Sequence, residues 1–121
     1  MKFLLPLTVI AALATSTAFA DCAIPDGKVN IPNGSKASKD EMVAAQRAVR
    51  AYDADVKTYT ECLKTEQDAE LAAGGDQMTQ EQHDKVVAKY AERSNTQVDK
   101  VQKVADKFNA ELRAYKAKNP A

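Results

Sequence analysis

Tryptophan is absent from the 121-residue sequence, histidine occurs once, at His83, and cysteine twice, at Cys22 and Cys62. One histidine leaves no His pair for a metal centre or a proton relay. The two cysteines lie far apart and form no C-x-x-C pair, so thiol redox chemistry has no motif to run on. Glycine is scarce, with four residues, and no glycine-rich phosphate loop, nucleophile elbow or metal-ligand constellation is present. An active site needs a cluster of reactive groups, and the sequence holds none. The reading is a non-enzymatic protein with no catalytic residues, no cofactor and no metal site. An excess of one charge sign is also missing. Seventeen Lys plus Arg balance seventeen Asp plus Glu, so no broad field draws nucleic acid. Beyond residue 20 no apolar run approaches the roughly 18 residues of a transmembrane helix. No membrane span is expected in the mature protein.

What is present begins with the first twenty residues. Lys2 is followed by an apolar run from Phe3 to Ala14 and by Ala18-Phe19-Ala20. This is the charged, apolar and small-x-small order of a secretory signal peptide, and the apolar stretch is too short for a stable span. Residues 1–20 are therefore expected to be removed by Sec-type cleavage near Ala20. That leaves about 101 residues as one small soluble domain in the periplasm or the medium. Thr17-Ala18-Phe19-Ala20-Asp21 lacks the Leu-x-x-small motif that precedes a lipidated cysteine. An exported chain with two cysteines is expected to hold them as one bridge, Cys22–Cys62, with intermolecular pairing as the rival.

Three segments follow. Residues 21–37 contain Pro25, Gly27, Pro32 and Gly34 with Ile24, Val29 and Ile31 between them, and read as an extended arm. Ser38 and Glu41 form a capping-box signature. The apolar series Met42, Ala45, Val49, Tyr52, Val56, Tyr59, Leu63 then steps by three and four. A helix over about 38–73 follows, ended by Gly74-Gly75. Thr79 and Gln82 open a second helix over about 79–118, with Met78 placed as a hydrophobic staple. Its seam reads Val87, Ala91, Ser94, Val98, Val101, Ala105, Phe108, Leu112, Tyr115.

The fold class is therefore all-α. The expected form is an antiparallel two-helix, coiled-coil-like hairpin over 38–121, with an extended N-terminal arm stapled by one disulfide. Leu63 is expected opposite Val87, Val49 opposite Val101, and Met42 near Phe108. A line of small residues, Ala44, Ala48, Ala51, Asp55, Thr58 and Cys62, runs beside the first seam. The arm is expected to lie along it. Sixteen extended residues reach roughly 53 Å, against roughly 36 Å for the 24 helical residues between Ser38 and Cys62.

Charge is unevenly placed. Glu61 to Asp84 holds seven acids and one Lys, which the fold-back puts at the hairpin tip, and the tail from Val98 is mildly basic. His83 beside Glu81 and Asp84 reads as a solvated helix start rather than a ligand group. Tyr52, Tyr59, Tyr90 and Tyr115 read as packing residues with a hydroxyl at the edge. Val43, Val86 and Val104 fall off the seams and form a candidate interaction face.

Cys22-x-x-Pro25, Ile31-Pro32-Asn33-Gly34, Glu41-Met42, Tyr52 and Tyr59-x-x-Cys62-Leu63 together resemble a group of short exported proteobacterial proteins of unknown function. The likeness covers Cys22 to Leu63, and implies that arm, helix and disulfide belong together but no activity. Met78-Thr79-Gln80-Glu81-Gln82 is similar to one degenerate copy of the Leu-Thr-x-x-Gln repeat of Spy/CpxP-type periplasmic chaperones, which carry two. The leading expectation is a protein-interaction module that binds a protein partner or itself as a homodimer. The alternatives are a chaperone or stress protein for unfolded clients and an acidic-tip binder of metal or polyamine.

A bridge between Cys22 and Cys62 closes a loop of about 40 residues, for which chain entropy gives roughly 4 kcal/mol. Non-reducing mass spectrometry is expected to show a monomer without free thiols. Reduction is expected to lower the unfolding free energy by about that amount.

Overall fold

Capping acts where the sequence places it. The computed structural model describes residues 21–121, and the segment 1–20 read as a signal peptide lies outside the described residues. The first helix, α1, spans Lys39–Gly74. The Ser38 hydroxyl accepts from the Glu41 N–H at 3.2 Å, and the Glu41 carboxylate accepts from the Ser38 N–H at 2.7 Å. Two of the helix's otherwise unpaired donors are thus satisfied. The second helix, α2, spans Gln80–Lys118, and Thr79 with Gln82 repeats the arrangement at 3.1 and 2.9 Å.

Between them a 3-10 turn covers Gly75–Gln77. Gly75 stands at φ 51°, ψ −149°, a conformation that side chains disfavour, and its N–H bonds the Leu71 carbonyl. Met78 folds over Gly74, occupying the space a β-carbon there would need. The chain then reverses, and α1 packs against α2 with no strand among the described residues.

The apolar side chains gather in three groups along the hairpin. Near the tip, Tyr59, Leu63 and Cys22 pack with Tyr90, joined by Cys62 and Val86. In the middle, Tyr52, Val56 and Val101 pack with Val29 and Val104. At the open end, Met42, Ala45 and Phe108 pack with Ile31, Ala37, Val49, Leu112 and Tyr115. Every group draws on both helices and on the arm. The arm therefore runs antiparallel to α1 as a third member, over the groove between the helices.

That position shifts the arm from the expected line toward α2, with Val29 and Ile31 turned to the interhelical groove. Ala44, Ala51, Asp55 and Thr58 stay exposed. The arm borders the small-residue stripe at two places, Cys22 to Asp26 sharing an open cleft with Asp55, Thr58 and Cys62, and Asn30 and Pro32 a shallow one with Ala44 and Ala48. The interhelical groove has apolar walls on two sides and removes more apolar area from water than a one-sided stripe of alanines.

The α2 seam is also displaced in its first half. Val86, Tyr90 and Gln97 turn inward where Val87, Ala91 and Val98 were expected, and Val98 is left 45% exposed. From Val101 onward the expected and observed residues coincide, with Val101 and Phe108 buried. A straight helix drifts about 20° per heptad from a strict 3.5 repeat. Over the three heptads from Phe108 back toward Val86 that sums to about 60°, more than half the roughly 100° separating neighbouring residues. The inward position therefore passes to the preceding residue. Met42 does meet Phe108, whereas Leu63 meets Val86 and Tyr90 rather than Val87, and Val101 meets Tyr52 and Val56 rather than Val49.

At the open end the arm closes on α2 through Gly34. Its N–H donates to the Glu111 carboxylate at 2.7 Å, and Gly34 is buried against the backbone of Glu111 and Tyr115. Asn33 then turns the chain toward Ser38. Its side-chain oxygen accepts from the Ser35 N–H and hydroxyl, and its carbonyl accepts from the N–H groups of Lys36 and Ala37. A β-carbon on Gly34 would overlap the Glu111 carbonyl, a backbone atom that cannot swing aside. Gly34→Ala is expected to cost about 1–3 kcal/mol or more, measured as a shift of the denaturant midpoint. Gln80→Ala on the exposed start of α2 is expected to move it by less than about 0.5 kcal/mol.

Candidate functional site

Near the closed end, the start of the arm, the second half of α1 and the first half of α2 bring a set of polar groups around the disulfide. Cys22 and Cys62 are bonded to one another with their Cα atoms 5.7 Å apart, joining positions 40 residues apart in sequence. The bridge is intrachain, and no described cysteine is free. The two sulfurs and the Glu66 carboxylate converge within 4.8 Å. Bonded to each other, however, the sulfurs are not thiolate ligands.

One turn beyond Cys62 along α1, Glu66 faces the arm and accepts the Cys22 N–H at 3.1 Å. Its side chain is only 13% exposed, and its other oxygen lies 3.6 Å from the Arg93 guanidinium. A further turn on, Glu70 accepts from the Lys89 ammonium at 2.7 and 2.8 Å and from the Tyr90 hydroxyl at 2.7 Å. Lys89 and Arg93 flank the Tyr90 ring, 4.8 and 5.6 Å from its centre. Asp21, Glu66, Glu70, Ala73, Tyr90 and Arg93 line an open cleft of about 390 Å³.

The electrostatics follow from these contacts. The Lys89 hydrogen bonds, then that of Tyr90, hold the Glu70 carboxyl below its ordinary value. The hydrogen bond to Glu70, aided by burial, pushes the Tyr90 phenol up to about 12. Tyr59 first, with Glu66 behind it, favours the charged form of Arg93. Helical spacing explains the assembly. Glu66 and Glu70 are four apart on α1, and Lys89 and Arg93 four apart on α2, so the two like-charged pairs face across the hairpin.

The acidic stretch at the tip is thereby compensated in large part. Lys64 pairs with Asp68 at 3.2 Å, Lys85 with Glu81 at 2.8 Å, Lys89 with Glu70 and Arg93 with Glu66. His83 lies exposed with its Nδ1 3.5 Å from Asp84. The structure does not gather the candidate face of Val43, Val86 and Val104. All three are half-buried, Val86 packing with the tip group and Val104 with the middle one. The large apolar side chains most open to solvent are Ile24 at 66% and Val98 at 45%.

Tyr90 packs in the core with its hydroxyl at the edge, as expected, but the polar cluster around that hydroxyl is not legible from the seam. Its signal was the opposed i,i+4 pairs Glu66/Glu70 and Lys89/Arg93. Gln97 was missed too. It is buried at 5% exposure, and its Oε1 has no hydrogen-bond partner among the described residues.

Comparison with protein-family models, with curated proteins and with solved structures finds no match for this chain.

The Tyr90–Glu70 contact sets a pH response. A phenol whose folded value is raised stabilises the fold fully below the unfolded value near 10, and that contribution is lost as pH rises through about 12. Tyrosinate absorbance near 295 nm is expected to show a component with a midpoint near 12. Tyr90→Phe removes that component, and Glu70→Gln moves it back toward 10.

Proposed function

We propose that this chain is an exported, non-enzymatic protein, released from its signal peptide near Ala20 into the periplasm or the medium, and that its stapled hairpin works as a protein-interaction module. The observation that carries the reading is Ile24. This isoleucine is 66% exposed, two residues from the disulfide, on an arm tied at both ends. A large apolar side chain held out on a constrained segment loses little conformational freedom when a partner covers it. Beside it runs a cleft of about 410 Å³ along Pro25, Asp55, Thr58, Tyr59 and Cys62. This is the kind of apolar surface with a polar edge on which protein contacts form.

The compensated tip weakens the metal or polyamine reading, because its carboxylates already face Lys64, Lys85, Lys89 and Arg93. A disulfide and the lack, among the described residues, of any helix long and apolar enough to cross a membrane are compatible with an exported soluble protein.

A photo-crosslinking residue placed at Ile24 in the expressed full-length chain is expected to trap one discrete partner or a second copy of the chain. The same probe at Val43 is expected to trap less. A broad smear of unrelated adducts transfers the reading to a chaperone for unfolded clients, and absence of adducts at both positions overturns the interaction reading.

A further inference from the structure

The arm is held unevenly along its length. Toward the open end its side chains are seated, with Val29 in the middle apolar group, Ile31 and Ala37 in the last, and Gly34 buried and bonded to Glu111. Toward the tip only Cys22 enters the core, where it packs with Tyr59, Leu63 and Tyr90. Ala23, Ile24, Asp26 and Lys28 are exposed, and Pro25 and Gly27 half-buried. Among the described residues no hydrogen bond joins the stretch from Ala23 to Asn33 to either helix. The arm from Cys22 to Lys28 thus has two specific ties to α1. One is the bond between the sulfurs, and the other is the hydrogen bond from the Cys22 N–H to Glu66 at 3.1 Å.

We propose that the Cys22–Cys62 bond is the latch of a redox-sensitive strap. Its reduction releases the arm from Cys22 to Lys28 and uncovers Tyr59, Leu63 and Tyr90, while Val29 to Ala37 and both helices keep their places. Both half-cystines line the open cleft beside Ile24, which gives an incoming thiol its approach. The reductant is a dithiol. One of its thiolates bonds the sulfur of Cys62, the less buried partner, and the sulfur of Cys22 leaves and takes up a proton. The second thiol of the reductant then displaces Cys62, which is protonated in turn. Two electrons and two protons pass to the bridge, and the reductant ends as a disulfide. The segment is then held by one hydrogen bond and the packing of one thiol. Ordering a single backbone residue already costs about what one such hydrogen bond returns, so the freedom regained from Cys22 to Lys28 decides for release. Gly27, at φ 69°, stands where the loosely held part meets the seated part, and glycine has the conformational range that a pivot needs. The middle and open-end groups take nothing from the arm before Val29, so they survive its release. The latch operates whether or not a partner meets Ile24.

The test uses the protein expressed from the full-length chain and purified with its disulfide intact. NMR spectra are recorded before and after addition of excess dithiothreitol, and the free thiols are counted by alkylation and mass spectrometry. On reduction the backbone order parameters of Ala23, Ile24, Asp26 and Lys28 are expected to fall from about 0.85 to below about 0.6, with those of Ile31 and of both helices unchanged. A soluble paramagnetic probe is expected to broaden the Leu63 methyl signals in the reduced protein and not in the oxidised one. The Met42 methyl, in the open-end group, is expected to stay shielded in both. The far-ultraviolet circular dichroism of the helices is expected to persist.

Cys22→Ser is expected to give the reduced-state values without reductant, which separates the loss of the bond from any effect of dithiothreitol itself. Reoxidation of the wild-type protein is expected to restore the closed values. A segment that keeps its order parameters over a shielded Leu63, in protein shown to carry two free thiols, overturns the proposal, because packing alone then holds the strap. Loss of the helical signal on reduction also overturns it, since the bond is then a staple of the whole fold and not the latch of one segment.

Discussion

The structure depends on the wedging of an extended segment into the groove between two helices. Two amphipathic helices meeting along one seam leave the flanks of that seam open to water, and a hairpin of this length cannot close over them. The arm supplies what a third helix would otherwise supply. Val29 completes the middle group, Ile31 and Ala37 the open end, and Cys22 the tip. It does so without pairing its backbone to another strand. It is fixed at its ends, by the disulfide and the Cys22–Glu66 hydrogen bond at one and by Gly34 against Glu111 at the other.

This arrangement explains where the unusual residues fall. A segment that passes close to a helix backbone needs a residue with no side chain at the contact, and Gly34 is that residue. Gly27, at φ 69°, approaches the Tyr52 ring closely on the same course, and a side chain there would be strained by the backbone conformation as well as by the contact. Tyr52 and Tyr59 are buried beneath the arm at 5% and 3% exposure. They are tall enough to reach both the opposite helix and the segment above, as a three-member core requires. Tyr90 turns inward to the same depth, and its hydroxyl finds Glu70 at the edge, the usual solution for a phenol at the boundary of a core.

The opposed pairs Glu66/Glu70 and Lys89/Arg93 add direction to the packing. Apolar packing alone tolerates small slips of one helix along the other, whereas facing charge pairs at one level penalise them. A slip of one turn would separate Glu70 from both Lys89 and Tyr90. The same pairs lower the net field at the hairpin tip. A surface that reads as acidic in linear order is, in the folded chain, a lattice of neighbouring opposite charges.

Helix limits, both capping boxes, the reversal at Gly74-Gly75 and the Cys22–Cys62 bridge were decided locally or by elimination, and so were legible in the order of residues. Capping depends on side chains three positions apart, a turn on the conformational range of glycine, and the pairing of two cysteines on there being no others. Position across space was a different matter. A strict heptad and a 3.6 repeat are nearly indistinguishable over one or two turns. Only packing against α1 and the arm decided that Tyr90 and Gln97, rather than Ala91 and Val98, turn inward. The course of the arm depended on comparing two grooves, of which the interhelical one exists only once the helices have met. The cluster around Glu66 and Glu70 likewise exists only after residues 19 to 44 positions apart are brought face to face. Sequence by itself determined the elements and the staple, because these rest on short-range chemistry. Tertiary structure decided the rotation of α2, the path of the arm and the polar cleft, because each is a competition among contacts that no single segment contains.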